Sequence, residues 1–205
     1  MILPELFIPF IGAVIILGLI PGPNVALIVA NSLAHGTRYG LLSVAGTSSA
    51  MIPQLAITVL GLSLVATLLS QWFDVIRWAG VAYLVYLGGK ELMAKPQDLA
   101  HVKARTPSVK EIYVRGLFVS MTNPKTLLFY GAFFPQFISP AGDPTMQMII
   151  LSVTFITVIT IIDSLWAVMA GQARYYLLGE SVWRNRISGG FLVLAALLLA
   201  LIRLD

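Results

Sequence analysis

Pro21-Gly22-Pro23-Asn24 and, far downstream, Asn123-Pro124-Lys125 each interrupt a long apolar segment. Proline has no N–H and collides with the carbonyl four residues back. Pro21, Pro23 and Pro124 therefore release the carbonyls of Leu17, Leu19 and Ser120 from a helical ladder. Inside a bilayer a freed carbonyl must find protein, ion or water, so broken helices persist only where they line a cavity or face other helices. Two such breaks, one in each half of a small membrane protein, are the best sequence pointer to a transporter's substrate site.

Composition supplies the bilayer. Of 205 residues, 58% are hydrophobic and 11% charged, with mean hydropathy +0.89. Soluble domains carry about 25% charged residues, and a single core could not hide this much apolar surface. Uncharged runs of 32 residues between Glu5 and Arg38, and of 35 between Arg38 and Asp74, exceed the roughly 20 that cross hydrocarbon. Met1-Ile2-Leu3-Pro4-Glu5 lacks the basic start of a signal peptide, and the apolar run behind it is too long for one, so the first helix is expected to be retained. The absence of cysteine excludes disulfides, thiolate metal sites and cysteine nucleophiles. A net charge of +4 could suggest nucleic acid, but the basic residues lie in loops between spans, which reads as membrane topology. No metal or cofactor is expected: His35 and His101 read as distant loop residues, and no Gly-rich phosphate cradle or nucleophile–base set is present.

Six transmembrane helices are expected, at 6–34, 40–69, 72–93, 113–138, 146–172 and 187–204. The first is too long for one straight helix, which fits a break at Pro21–Pro23. Pro53 reads as a third helix breaker. The third span has only twelve uncharged residues between Arg77 and Lys90, so it needs Trp72 and Trp78 at one interface and Lys90 snorkelling at the other. With six spans, ten lysines and arginines fall on one side (Arg38, the cluster from Lys90 to Arg115, then Arg174, Arg184 and Arg186) against Arg77 and Arg203 on the other. The richer side is then cytoplasmic and both termini face outward. Five spans give the same ten against two with the amino terminus inside.

Repetition favours six. Aligning Pro23 with Pro124 also pairs Leu27 with Leu128 and sets Asn24 opposite Lys125, and Arg77-x-x-Gly80 matches Arg186-x-x-Gly189 at a larger offset. The chain reads as one membrane domain, residues 1–205. A three-helix repeat (about 1–93) and a basic cytoplasmic loop (94–112) precede a second, inverted repeat (about 113–205), and the first helix of each repeat is broken.

Two formal charges lie well inside the spans, Lys125 and Asp163. An ionised group at a helix centre costs about 2.5–3.5 kcal/mol on insertion scales, so such residues usually face a cavity and serve function. Asp163 follows Thr154, Thr157 and Thr160, read as a ladder along one stripe, and could carry a proton. Alternatively it only ties helices together through Lys125 or backbone. Asn24 and Asn123 adjoin the breaks, where their amides can bind a substrate's charged groups or cap their own half-helices. The half-helices after Pro23 and Pro124 direct positive ends into the membrane, which suits a carboxylate. Thr47, Gln54 and Thr58 share one face of the second span, as cavity lining or as glue between helices. Gly18-x-x-x-Gly22 and Gly36-x-x-x-Gly40 permit close helix contact.

Taken in order, Pro21-Gly22-Pro23-Asn24, Asn123-Pro124-Lys125, Phe134-Pro135-Gln136-Phe137 and the intramembrane Asp163 resemble the LysE/RhtB family of amino-acid exporters. The resemblance covers the whole chain. It implies an inner-membrane permease exporting amino acids or close derivatives, driven by the proton gradient. Many members have an aspartate where this chain has Asn24, and often a histidine near Ile52-Pro53-Gln54, so coupling here would fall to Asp163 alone.

The leading reading is therefore a multi-pass exporter of the bacterial inner membrane. Its substrate site is built from Pro21, Gly22, Pro23, Asn24, Gln54, Asn123, Pro124 and Lys125, with Asp163 as proton carrier. Its partners would be a zwitterionic substrate, protons and the lipid bilayer, and the sequence is also compatible with a homodimer. One acid with one base favours a neutral amino acid, such as threonine or homoserine, over lysine. The competing readings are an interaction subunit or scaffold whose polar residues only join helices, and a membrane enzyme, for which one aspartate and one lysine are thin.

Overall fold

Pro21 and Pro23 split the first apolar segment as their chemistry requires. In the computed structural model, which describes residues 4–61, 75, 78–79, 81–90, 92–93, 107–140, 142–176 and 181–201, α1 (Pro4–Leu19) and α2 (Pro23–His35) meet at a 50° bend. Gly36, at φ +97°, turns the chain into α3 (Thr37–Leu60), a conformation that favours glycine. Helical residues 81–90 form α4. Ser108, whose hydroxyl accepts from Glu111 N at 3.1 Å, caps α5 (Val109–Met121). After a break at Thr122–Asn123 come α6 (Pro124–Leu128), a π turn (Phe129–Phe133) and a 3-10 turn (Phe134–Phe137). The chain then enters α7 (Pro144–Tyr176) and α8 (Ser181–Leu201). The described residues are helices joined by turns. α3 and residues 144–174 of α7 are long and apolar enough to cross a membrane, and α1 with α2 passes the same test as a bent pair.

Several expectations change. Pro53 lies inside α3, which continues past it to Leu60. The second span was expected to reach residue 69, but 62–74 lie outside the described residues, as do much of the third span, Gly80, Arg77, His101 and 94–106 of the loop. The loop was expected to run to Ile112, yet α5 starts at Val109 because Ser108 and Glu111 have the spacing of a capping box. His35 is no loop residue: it ends α2, its ring 5.3 Å from that of Tyr39.

Burial sorts the helices. Every residue of α2 from Pro23 to Leu33 is buried, so this half-helix runs through the middle of the bundle and packs on α3, α5, α7 and α8. Such all-round burial marks a central helix. α1 lies outside, with Ile8, Ile15, Ile16 and Leu19 exposed on its outer face. An aromatic cluster closes one part of the core: Phe10 meets Phe134 edge-on at 5.4 Å, and Phe155 packs against Phe129, Tyr130 and Phe134. The Phe134-Pro135-Gln136-Phe137 motif thus delivers rings into that cluster.

Glycines set the closest crossings. α3 and α5 touch where a methyl on Gly46 would strike the Tyr113 carbonyl and one on Gly116 would stand 2.7 Å from the Ser43 carbonyl oxygen. α4 and α8 cross reciprocally: an added Cβ on Gly88 would lie 3.1 Å from the Gly189 oxygen, and one on Gly189 would lie 2.9 Å from the Gly88 oxygen. Gly88 precedes Gly189 by as many residues as Pro23 precedes Pro124. The counterpart of Gly189 at that offset is thus Gly88, where the Arg-x-x-Gly match had paired it with Gly80.

Gly116→Ala should lower stability by about 1–3 kcal/mol, because backbone rather than a mobile side chain must give way. Gly12→Ala, with nothing within 4 Å of the new methyl, should be neutral or stabilise by up to about 1 kcal/mol. Thermal melts of the two variants in detergent check the contrast.

Candidate functional site

At the first break the Leu17 carbonyl finds a partner, and so do those of Gly18 and Ile20 beside it. Lys125 Nζ donates to Leu17 O and to Ile20 O, each at 2.7 Å, and Trp166 Nε1 donates to Gly18 O at 3.3 Å. Leu17 is the carbonyl freed by Pro21. The ammonium sits at the carbonyl end of α1, where the helix dipole favours a cation. The second break is served from the other half of the chain. Gln54 Nε2 on α3 donates to Ser120 O at 3.2 Å and to Met121 O at 3.4 Å, and Ser120 is the carbonyl freed by Pro124. Asn24 Nδ2 joins the breaks directly through Ser120 Oγ at 3.3 Å.

The two asparagines differ. Asn123 caps its own half-helix, its Oδ1 accepting from Lys125 N at 3.1 Å. Asn24 does not: Gly22 holds the cap position of α2, with no side-chain bond, and Asn24 reaches across to Ser120. Gly22 has ordinary extended backbone at φ −143°. The Lys125 stem passes it, 3.4 Å from where a Cβ would be, which is ordinary van der Waals contact.

Between the breaks is a small chamber. Gly22, Asn24, Asn123, Lys125, Thr126 and Asp163 line it, with Leu17, Gly18, Val25 and Ile159 as its apolar wall. It encloses about 10 Å³, room for roughly one water. Three buried side-chain atoms of this lining have no hydrogen-bond partner: the acceptors Asn24 Oδ1 and Asp163 Oδ2 and the donor Asn123 Nδ2. Asp163 is 2% exposed and Asn123 1%. The Lys125 ammonium is spent on the two carbonyls rather than on Asp163, although both groups line the chamber.

Of the expected site residues, Gly22, Asn24, Asn123, Lys125 and Asp163 come together here, and Pro21, Pro23 and Pro124 make the breaks that frame it. Gln54 stands outside the lining and serves the second break, while Thr47 and Thr58 bond carbonyls of their own helix. The threonine ladder is not a stripe. Three-residue steps turn an α-helix by about 300°, so the row drifts around it. Thr157 is exposed, and Thr160 bonds Ser48 on α3 at 2.8 Å. Trp166, one turn beyond Asp163 and on its face of α7, was not singled out from the sequence. That i, i+3 spacing was the available signal.

A larger cavity, about 710 Å³, opens between α4 and α5 and runs from Ser108 past Tyr83, Arg115 and Phe118 to Thr122 at the second break. Near its Ser108 end Arg115 and Glu111 form an ion pair at 2.5 Å.

Residues 15–202 match the profile of a family described as LysE type translocator. A homoserine/homoserine lactone efflux protein of Salmonella typhimurium is 31% identical over 187 residues, 90% of this chain and 91% of that one. A leucine efflux protein of Klebsiella pneumoniae is 38% identical over 149 residues, 70% of this chain and 68% of its own length. An uncharacterized membrane protein of Vibrio cholerae is 26% identical over 202 residues, covering 96% and 97%. No solved structure matches.

Gln54→Leu should destabilise the fold by about 1–3 kcal/mol by leaving the Ser120 and Met121 carbonyls unmet. Thr58→Val, which removes only a bond back to its own helix, should change stability by less than about 0.5 kcal/mol. Melting temperatures of the purified variants separate the two effects.

Proposed function

This chain belongs to the LysE type translocators, and from that premise we propose that it exports amino acids or close derivatives from the cytoplasm across the bacterial inner membrane. The observation that carries the reading is the chamber at the breaks, where buried acceptors and a donor stand unpartnered beside a lysine. Buried polar atoms are normally bonded. A set of unmet acceptors facing an unmet donor suits a small zwitterion, with ammonium toward Asn24 and Asp163 and carboxylate toward Asn123. Relatives named for efflux of homoserine and of leucine support a neutral amino acid as cargo, while the lactone named beside homoserine keeps the ammonium without the carboxylate and is a derivative of that class.

The architecture proposed is six spans in two inverted halves, both termini outward, each half opening with its broken helix. The reciprocal Gly88–Gly189 crossing supports it, because a residue lying at a two-fold axis touches its own counterpart. A chamber holding about one water is far below the roughly 300 Å³ of a small-molecule site. The halves must therefore part to admit cargo, alternately on each side. The cavity between α4 and α5, leading from the basic side to Thr122, is the proposed cytoplasmic approach. Asp163, buried with one oxygen unpartnered, is proposed as the proton carrier. The bonded polar residues Asn31–Ser43 and Ser48–Thr160 are what a scaffold alone would need, whereas unmet atoms in a chamber are not.

Inverted vesicles should accumulate labelled L-homoserine or L-leucine only with a proton gradient. Asp163→Asn should abolish that uphill accumulation while sparing exchange of labelled for unlabelled amino acid. Unchanged accumulation in the variant at every pH would remove the aspartate from coupling, and no uptake by the wild type under any condition would favour the scaffold.

A further inference from the structure

We propose that the Leu17 and Ile20 carbonyls are the seat for the substrate's ammonium group, and that Lys125 occupies this seat as a built-in stand-in while the chamber is shut. The inference rests on the export reading above and adds to it the ammonium subsite and the device that guards it. An ammonium is already there: Nζ lies 2.7 Å from each oxygen, the geometry of a charge-assisted bond. The seat suits any primary ammonium because it is the carbonyl end of a 16-residue helix with no basic residue of its own in the last turn. Two carbonyls use two of an ammonium's three N–H groups, and the chamber holds Asn24 Oδ1 and Asp163 Oδ2 as unpartnered acceptors for a third.

Lys125 can also leave. Its four-carbon stem crosses the bare face of Gly22, and an ammonium on such a stem is a mobile point charge. In a chamber with room for about one water, something must withdraw before cargo enters. A substrate carboxylate would draw Lys125 off the carbonyls while the substrate's own ammonium takes its place. One ammonium replaces another at the helix end, and the carboxylate pairs with the displaced lysine, so no buried charge is left uncompensated. This exchange selects for molecules carrying both groups. A plain amine brings the ammonium but nothing to pull the lysine away.

The test titrates the full chain in nanodiscs with L-homoserine and L-leucine and with their decarboxylated counterparts, 3-amino-1-propanol and 3-methylbutylamine. Wild type should prefer the amino acids by about tenfold or more, the worth of one charge-assisted contact. Lys125→Ala and Lys125→Met should lose the preference, because the seat stands open. As a second readout, ethylammonium chloride should raise the melting temperature of both variants and leave wild type unmoved, whereas tetramethylammonium, lacking N–H, should do neither. Variants that keep the wild-type preference, or gain no more from ethylammonium than wild type does, overturn the proposal, and so does failure of both to fold even in ethylammonium. If wild type binds no amino acid, the export reading falls, while the ethylammonium melts still judge the seat.

Discussion

Carbonyls that proline has cut loose from a helix govern this structure. Each buried carbonyl without a partner costs about 1–3 kcal/mol, and in hydrocarbon there is no water to relieve it. At both breaks the partner comes from the other half of the sequence. Lys125 and Trp166 serve the end of α1, and Gln54 serves the end of α5. Breaking the helices thereby fastens the halves to each other, with Asn24 and Ser120 as the direct link. Polar chemistry deep in an apolar chain is gathered at one place because the broken backbone creates the demand for it.

That demand was legible in the sequence. Pro21 and Pro124 name Leu17 and Ser120 as released carbonyls, and both are the ones found bonded to distant side chains. The identity of the donors was less legible. Lys125 and Gln54 could be marked as candidates by being polar in apolar runs, but pairing each with the opposite break depends on how helices far apart in sequence cross. Pro53 shows the limit of local rules: the same residue that breaks two helices sits within α3 without ending it. The threonines before Asp163 show another, since spacing by three imitates a stripe only over a turn or two. The Pro23–Pro124 offset pairs Gly88 with Gly189 and Gly89 with Gly190, but only the crossing of α4 and α8 tells which pair makes the contact.

α2 and α1 divide the labour of a single broken span. α2 is buried on every side and acts as the axis on which α3, α5, α7 and α8 assemble. α1 lies on the rim, held chiefly by α7, by the aromatic cluster around Phe10 and by the lysine at its carbonyl end. The chamber forms where axis and rim part company. Its polar lining comes from α2, the second break and α7, so no single helix builds it.

The Gly88–Gly189 crossing has a mechanical corollary. The backbones touch there, and the Val193 and Leu92 side chains close over the glycine of the facing helix, so tilting one helix against the other displaces two aliphatic side chains. The ring cluster of Phe10, Phe129, Phe134 and Phe155 resists more: rotation on that flank would have to break several edge-to-face and tilted ring contacts at once. Tilting along α4 and α8 thus disturbs fewer and smaller side chains than rotation around the rings.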